Sequence, residues 1–449
     1  VGAGDYRQHL NFADDLSHSF NRMVDYLVEL SFQDKLTGLL NVDGFDAKAK
    51  KLLECAPLHE AYFLLNINVN DFKHFHVLYG PEKGDQLLVK VARFLAETCQ
   101  KDELCARIHA DNFMCLLHGE TAEAIAERLN VDHAGIWPGL IVSRTYLFRH
   151  GVYEIQNRNL SIRQMRHFAA FASMSVQNNA KCNYAIFDDV LSEQYHLENT
   201  ILENFERAVS EREFEVYYQP KVDAQTGCIV SCEALVRWNT RRDGLLTPDC
   251  FISLFEANGL ITVLDFYVFD KVCALLSAFV LQNHVVPIAV NFSPAHLLEA
   301  DFVQRLLAIL QKYELSPEWL EIEITETAFF ENMDTMIAMI QDLHEAGFSI
   351  AMDDFGSGFS SLNFLRSLPI DVMKIDKLFF KNFDEDKYGR LLLQDILSMA
   401  GHLGLKTVAE GIETKAQAEF LKEHKCDMIQ GYYFYRPMPE AELRELLIN

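Results

Sequence analysis

The chain of 449 residues is too long for one ordinary domain and comfortable for two, and its 49% apolar and 23% charged residues are those of a folded globular protein. A formal charge of −25 argues against duplex DNA or RNA as a partner, which wants a basic face. It leaves room for a phosphate-bearing substrate held through divalent cations. No uninterrupted apolar run reaches the roughly 18 residues of a membrane span; the longest candidate, 275–290, is broken by Gln282, Asn283 and His284. None of the ten cysteines forms a CxxC pair, which points to reduced cytosolic thiols rather than a zinc site or a disulfide framework.

The chain opens Val-Gly-Ala-Gly, without Met or a signal peptide, as a trimmed chain with a tag scar would. Residues 10–32 are expected to form a helix, because Leu16, Phe20, Met23, Leu27 and Leu30 recur at 4-3-4-3 spacing, a heptad seam. Two readings of that seam stand: an amphipathic helix packed on its own domain, or a parallel dimer stalk. Residues 33–190 alternate strand-like runs (61–69, 112–117, 185–187) with helical stretches, which predicts an α/β or α+β domain. Residues 200–449 repeat a short apolar run that ends in a polar or acidic residue, usually followed by a helical stretch. The runs are 216–219, 229–233, 287–291, 320–326, 348–354, 372–376, 406–410 and 427–430. Eight such units have the size and rhythm of a TIM-type (β/α)8 barrel, whose reactive side chains sit at strand C-termini.

Those strand ends carry Glu233, Asn291, Glu323, Asp353, Asp354, Lys374, Glu410 and Gln430. Five carboxylates and an amide oxygen converging on one barrel mouth demand protons or cations. Oxygen-only ligands select hard ions such as Mg²⁺ or Mn²⁺ over zinc. The pair Asp353-Asp354 suits two metals, roughly 3.5–4 Å apart, that share a bridging carboxylate, activate a water and neutralise an attacked phosphodiester. Singly, each element has an ordinary reading. Glu-Ala-Leu is a common helix fragment, Asp-Asp-Phe-Gly-Ser-Gly a strand-to-loop turn, Lys374 a surface charge and Gln430-Gly431 a turn. All of those readings would have to hold together, in order, at successive strand ends.

The second region resembles the EAL phosphodiesterases of cyclic di-GMP signalling over essentially its whole length. The matching motifs are Tyr-Tyr-Gln-Pro-Lys-Val (217–222), Glu-Ala-Leu-Val-Arg-Trp (233–238), Val-Asn-Phe-Ser (290–293), Glu-Ile-Thr-Glu (323–326), Asp-Asp-Phe-Gly-Ser-Gly-Phe-Ser-Ser-Leu (353–362), Lys-Ile-Asp (374–376), Ala-Glu-Gly-Ile-Glu (409–413) and Gln-Gly-Tyr-Tyr-Phe (430–434). The resemblance implies a barrel whose first strand runs antiparallel to the others. It implies hydrolysis of cyclic di-GMP to linear pGpG with two divalent cations, Mg²⁺ or Mn²⁺, in a cytoplasmic homodimer. By the same resemblance Glu233, Asn291, Glu323 and Asp353 would bind one metal, and Asp353 would bridge to a second with Asp354 beside it. Lys374 and Glu410 would orient or deprotonate the attacking water. Gln219, Arg237 and Gln430 would contact substrate. Glu326 would anchor the loop 355–362, which is expected to couple dimerisation to activity.

The first region resembles a GGDEF diguanylate cyclase domain with damaged landmarks. Asp34-Lys35-Leu36-Thr37-Gly38-Leu39-Leu40-Asn41 matches its opening. In Asn68-Val69-Asn70-Asp71-Phe72-Lys73 the family's first, metal-binding Asp is Asn68, and the Asn expected after Phe-Lys is His76. The signature reads His109-Ala110-Asp111-Asn112-Phe113, with both glycines gone and Asn112 in place of Glu. The inhibitory Arg-x-x-Asp would fall at Gln100 to Glu103 and is absent. This degenerate domain is expected to make no cyclic di-GMP and to serve as a scaffold, with weak GTP binding as the second reading. Residues 15–23 resemble the last helix of a HAMP linker, which would make this chain the cytosolic part of a membrane-anchored sensor. A non-catalytic cyclic di-GMP receptor, signalling through the helix at 10–32, is the alternative function. The intact ligand set speaks against it.

Overall fold

A computed structural model describes residues 31–448 apart from 58, 71, 130–135, 137–146, 177–182, 243, 282–284, 327–332, 357–367, 382 and 384–386. The helix expected over 10–32, with its stalk and linker readings, lies outside the described residues except for its last two positions. The chain divides into two compact units, 1–197 and 198–449.

The first unit is a five-stranded sheet in the order β2-β3-β1-β4-β5, built from Tyr62–Val69 (β1), Leu104–His109 (β2), Asn112–His118 (β3), Phe148–Glu154 (β4) and Tyr184–Ile186 (β5). Side chains alternate across β1, so its two faces feed two cores. Phe63, Leu65 and Ile67 pack with Leu87, Leu88 and Val91 of the helix Pro81–Thr98. Tyr62 and Leu64 pack with Phe45 of the helix Val42–Cys55 and Met165 of the helix Ile162–Ser175. The sequence runs at 61–69, 112–117 and 185–187 correspond to β1, β3 and β5. Strands β2 and β4 were not expected, because Arg107 breaks the apolar pattern of one and Arg149, His150 and Gly151 that of the other. Gly151 has a packing reason: a Cβ there would lie 2.1 Å from the Ala169 carbonyl oxygen.

The second unit is a closed eight-stranded barrel. Its strands are Phe214–Asp223 (β6), Ile229–Thr240 (β7), Ile288–Asn291 (β9), Leu320–Thr325 (β10), Ser349–Phe355 (β11), Val372–Ile375 (β12), Lys406–Ala409 (β13) and Met428–Ile429 (β14). Strand β6 closes the ring by antiparallel pairing with β7 on one side and β14 on the other. The seven other strands are mutually parallel. All eight sequence runs fall on these strands, and the antiparallel first strand implied by the resemblance is present. Gly244–Leu246 (β8) folds back antiparallel onto the end of β7, and Met438–Pro439 (β15) pairs antiparallel with β6. The helix Ile261–Leu281 turns Leu264, Phe269, Val272, Leu276 and Phe279 into the common core. No described helix is long and apolar enough to cross a membrane.

Candidate active site

The parallel strands end together, so residues distant in sequence meet at one mouth. Glu233 lies within β7, which runs on past the expected end to Thr240; Asn291 ends β9, Glu323 lies on β10, Asp353 and Asp354 on β11, Lys374 on β12, and Glu410 and Gln430 directly follow β13 and β14. A register shift between Met352 and Phe355 bulges β11 where it meets β12. Asp354 there adopts φ 56°, the left-handed region that side chains other than glycine rarely enter. Strain of this kind persists only where the surroundings enforce it, and here it lets neighbouring residues of one strand reach one site.

Lys374 is fully buried at the centre. Its Nζ lies 2.6 Å from Glu323 Oε2, 2.7 Å from Glu410 Oε1, 3.0 Å from Asp353 Oδ1 and 3.6 Å from Glu233 Oε1. Lys221, also fully buried, donates to Glu323 Oε1 at 2.7 Å and Glu321 Oε1 at 2.9 Å. On the other flank Glu233 accepts from Asn291 Nδ2 at 2.9 Å and from Gln430 Nε2 at 2.5 Å. Gln430 also donates to Gln219 Oε1 at 3.1 Å, and Gln219 donates to the Tyr435 carbonyl at 3.0 Å. Arg237 stands apart from this network: its guanidinium donates to the Val236 carbonyl and lies 5.8 Å from the Tyr217 ring centre. Glu326 Oε2 accepts from the Gly356 amide at 2.8 Å, tying down the start of the loop 355–362, whose remainder beyond Gly356 lies outside the described residues.

The electrostatics expose a deficit of positive charge. Burial opposes ionisation of Glu323, but Lys221 and Lys374 outweigh it and hold its carboxyl down at about 2. Burial and the neighbouring Glu323 charge raise Glu233. Burial, then the adjacent Asp353 charge, pushes Asp354 up to about 7. Burial pushes Glu410 up to about 8, with Lys374 opposing and Asp353 and Glu233 adding to the rise. The two ammonium groups therefore do not balance the carboxylates around them, and the raised carboxyls mark the shortfall.

Divalent cations fit the same place. Glu233, Glu323 and Asp353 each offer an oxygen within 4.8 Å of the others, and so do Asp353, Asp354 and Glu410. The two trios share Asp353, and every donor is a carboxylate oxygen, which suits hard ions. An apolar pocket lined by Leu235, Val236, Leu264, Phe292 and Pro294 includes Asn291 in its wall and so adjoins the carboxylates.

Every site residue expected from sequence except Arg237 and Glu326 thus lies in one connected cluster. Lys221 belongs to the site although the sequence places it only within the motif Tyr-Tyr-Gln-Pro-Lys-Val. The available signal was strand periodicity: two residues beyond Gln219, it shares that residue's face.

The EAL domain family model matches residues 202–437, and the model "Diguanylate cyclase, GGDEF domain" matches 31–136. Cyclic di-GMP phosphodiesterase NbdA of Pseudomonas aeruginosa is 33% identical over 98% of this chain. The bifunctional diguanylate cyclase/cyclic di-GMP phosphodiesterase MucR of the same organism is 30% identical over 95%. The chain spans 56% and 63% of those two relatives. The solved structure of PaMucR phosphodiesterase in complex with c-di-GMP is similar at 35% identity and a TM-score of 0.53, covering 54% of this chain and 99% of that one. With an EAL match over more than half its length, behind a GGDEF match, the chain belongs to the EAL domain family as a GGDEF–EAL tandem protein.

Proposed function

We propose that the second unit hydrolyses cyclic di-GMP to linear pGpG in a reaction that requires divalent cations, Mg²⁺ or Mn²⁺. The observation that carries this reading is the pair of carboxylate trios joined through Asp353 around buried Lys374. Names of relatives agree with it: NbdA is a cyclic di-GMP phosphodiesterase, and PaMucR phosphodiesterase was solved with c-di-GMP.

A phosphodiester is an anion, so a carboxylate-lined mouth repels it until positive charge is added. Glu233, Asn291, Glu323, Asp353 and Asp354 would hold the divalent cations, which would supply that charge and lower the pKa of an attacking water. Asn291 would take part through its side-chain oxygen, since its Nδ2 donates to Glu233. Lys374, held as an ammonium by the carboxylates around it, fixes the relative positions of four of them and orients the water, and Glu410 receives the water's proton. Gln219, Gln430 and Arg237 contact the dinucleotide, and the apolar pocket beside Asn291 accepts a base. Glu326 sets the start of the loop that follows β11. Tyr388, Leu391 and Leu392, exposed on one face of the helix Lys387–Leu403, support a homodimer. The first unit acts as a scaffold without cyclase activity, with weak GTP binding as the lesser reading, and the chain works in the cytoplasm.

The test is incubation of the purified chain with cyclic di-GMP and Mg²⁺ or Mn²⁺, with and without EDTA, followed by nucleotide separation. Metal-dependent pGpG is expected. Tight binding without pGpG would overturn the enzyme reading in favour of a receptor.

A further inference from the structure

Side chains alternate along a strand, so a residue two positions further from the mouth faces the barrel interior one layer deeper. That deeper layer is largely small and apolar: Ala289, Ala351, Val372 and Val408 lie there, all buried. Two of its members are charged. Lys221 lies two residues from Gln219 on β6, and Glu321 two residues from Glu323 on β10. Strands β6 and β10 are not neighbours, since β7 and β9 stand between them in the ring. Lys221 therefore reaches across the interior. Its fully buried Nζ lies 2.9 Å from Glu321 Oε1 and 2.7 Å from Glu323 Oε1. Glu323 Oε2 is turned the other way, to Lys374 Nζ at 2.6 Å, and that same ammonium lies 3.0 Å from Asp353 and 3.6 Å from Glu233.

Burying an ion pair costs both partners their hydration, so an apolar pair of similar volume is often as stable or more so. Stability alone therefore does not account for a lysine and a glutamate in this layer, whereas the carboxyl they hold does. We propose that Lys221 is a positioning residue for the cation site: anchored by Glu321, it holds Glu323 Oε1 and so keeps Oε2 on the side of Asp353 and Glu233. The inference rests on the reading of the mouth as a divalent-cation site, in which Glu233, Glu323 and Asp353 form one trio. Without Lys221, Lys374 is the ammonium left beside Glu323, and the freed carboxyl can turn both oxygens to it. An oxygen engaged in that way is lost to a cation.

Position and charge predict opposite signs. As a mere charge Lys221 would repel a cation, and its loss would tighten binding. As a positioning residue its loss weakens binding by about tenfold, the scale on which groups that orient a metal ligand act. The experiment titrates the full chain, Lys221→Met and Glu321→Gln with Mn²⁺, followed by electron paramagnetic resonance, with urea unfolding to establish that each variant is folded. Two Mn²⁺ are expected in the unaltered chain. Lys221→Met is expected to weaken one site about tenfold and leave the other within about twofold, a selectivity that general loss of structure would not produce. Glu321→Gln is expected to weaken the same site by less. Unchanged or tighter Mn²⁺ binding in folded Lys221→Met overturns the inference. Should Lys221→Met fail to fold, unchanged binding in Glu321→Gln overturns it instead. Two sites in the unaltered chain with no change in either variant leave the cation reading standing and remove this inference alone, whereas no Mn²⁺ bound by the unaltered chain overturns both.

Discussion

The barrel mouth and the turn joining β2 to β3 both crowd polar groups at strand ends, and they resolve that crowding in opposite ways. At the mouth, Glu233, Glu323, Asp353, Asp354 and Glu410 share two buried ammonium groups, Lys221 and Lys374, among the described residues. At the turn, Asn66 donates to Asn112 at 3.0 Å, Asn68 donates to Asp111 at 3.1 Å, and Arg107 pairs with Asp34 at 3.2 Å. Among the described residues the amides there pair with one another or with Asp111. A cluster that cannot satisfy itself calls for an outside partner, whereas a self-satisfied one supports structure. Gln100 to Glu103 follows the second pattern. In place of an inhibitory motif, Glu103 accepts from the Gln100 amide and pairs with Arg128.

The largest effect that would break this contrast is at the mouth. Glu233→Ala removes an oxygen from the first carboxylate trio and a partner of both Asn291 and Gln430. Hydrolysis is expected to fall about 10³-fold, the scale on which removal of a charge-stabilising group acts. Near-normal pGpG release from that variant would sink the assignment. At the turn the expectation is a blank: with GTP and Mg²⁺ the chain yields no cyclic di-GMP by nucleotide separation, and any product would erase the contrast.

Smaller effects concern stability of the first unit. Glu103 is held below its usual range: burial raises it, but the Arg128 hydrogen bond and the Gln100 and His118 amides outweigh burial. A carboxyl depressed in the folded state stabilises fully above its unfolded pKa, and that contribution fades as pH falls through the folded value. Glu103→Gln should therefore lower stability at pH 7 by about 3 kcal/mol in urea unfolding and flatten the acid limb below about pH 4. An unchanged acid limb would contradict this pairing. The smallest change is at Ala110, whose φ of 44° replaces a glycine of the family signature. Ala110→Gly should stabilise the first unit by about 1 kcal/mol, read as a higher urea midpoint.

Much of the barrel was legible because each strand carries a short apolar run to a polar end, so topology and site were written in the same residues. The first sheet was less legible. Arg107 in β2 and Arg149-His150-Gly151 in β4 hide strands that only pairing with β3 and β1 reveals. Lys221 escaped notice as a site residue because a lysine reads as surface until strand register turns it inward beside Glu323.

The central claim is that cations make up the charge missing at the mouth, and Mn²⁺ binding measured by titration with electron paramagnetic resonance tests it most directly. The account predicts two bound Mn²⁺ per chain, with loss of at least one in Asp353→Asn, the variant at the residue common to both trios. Binding of none, or binding that Asp353→Asn leaves unchanged, would contradict it.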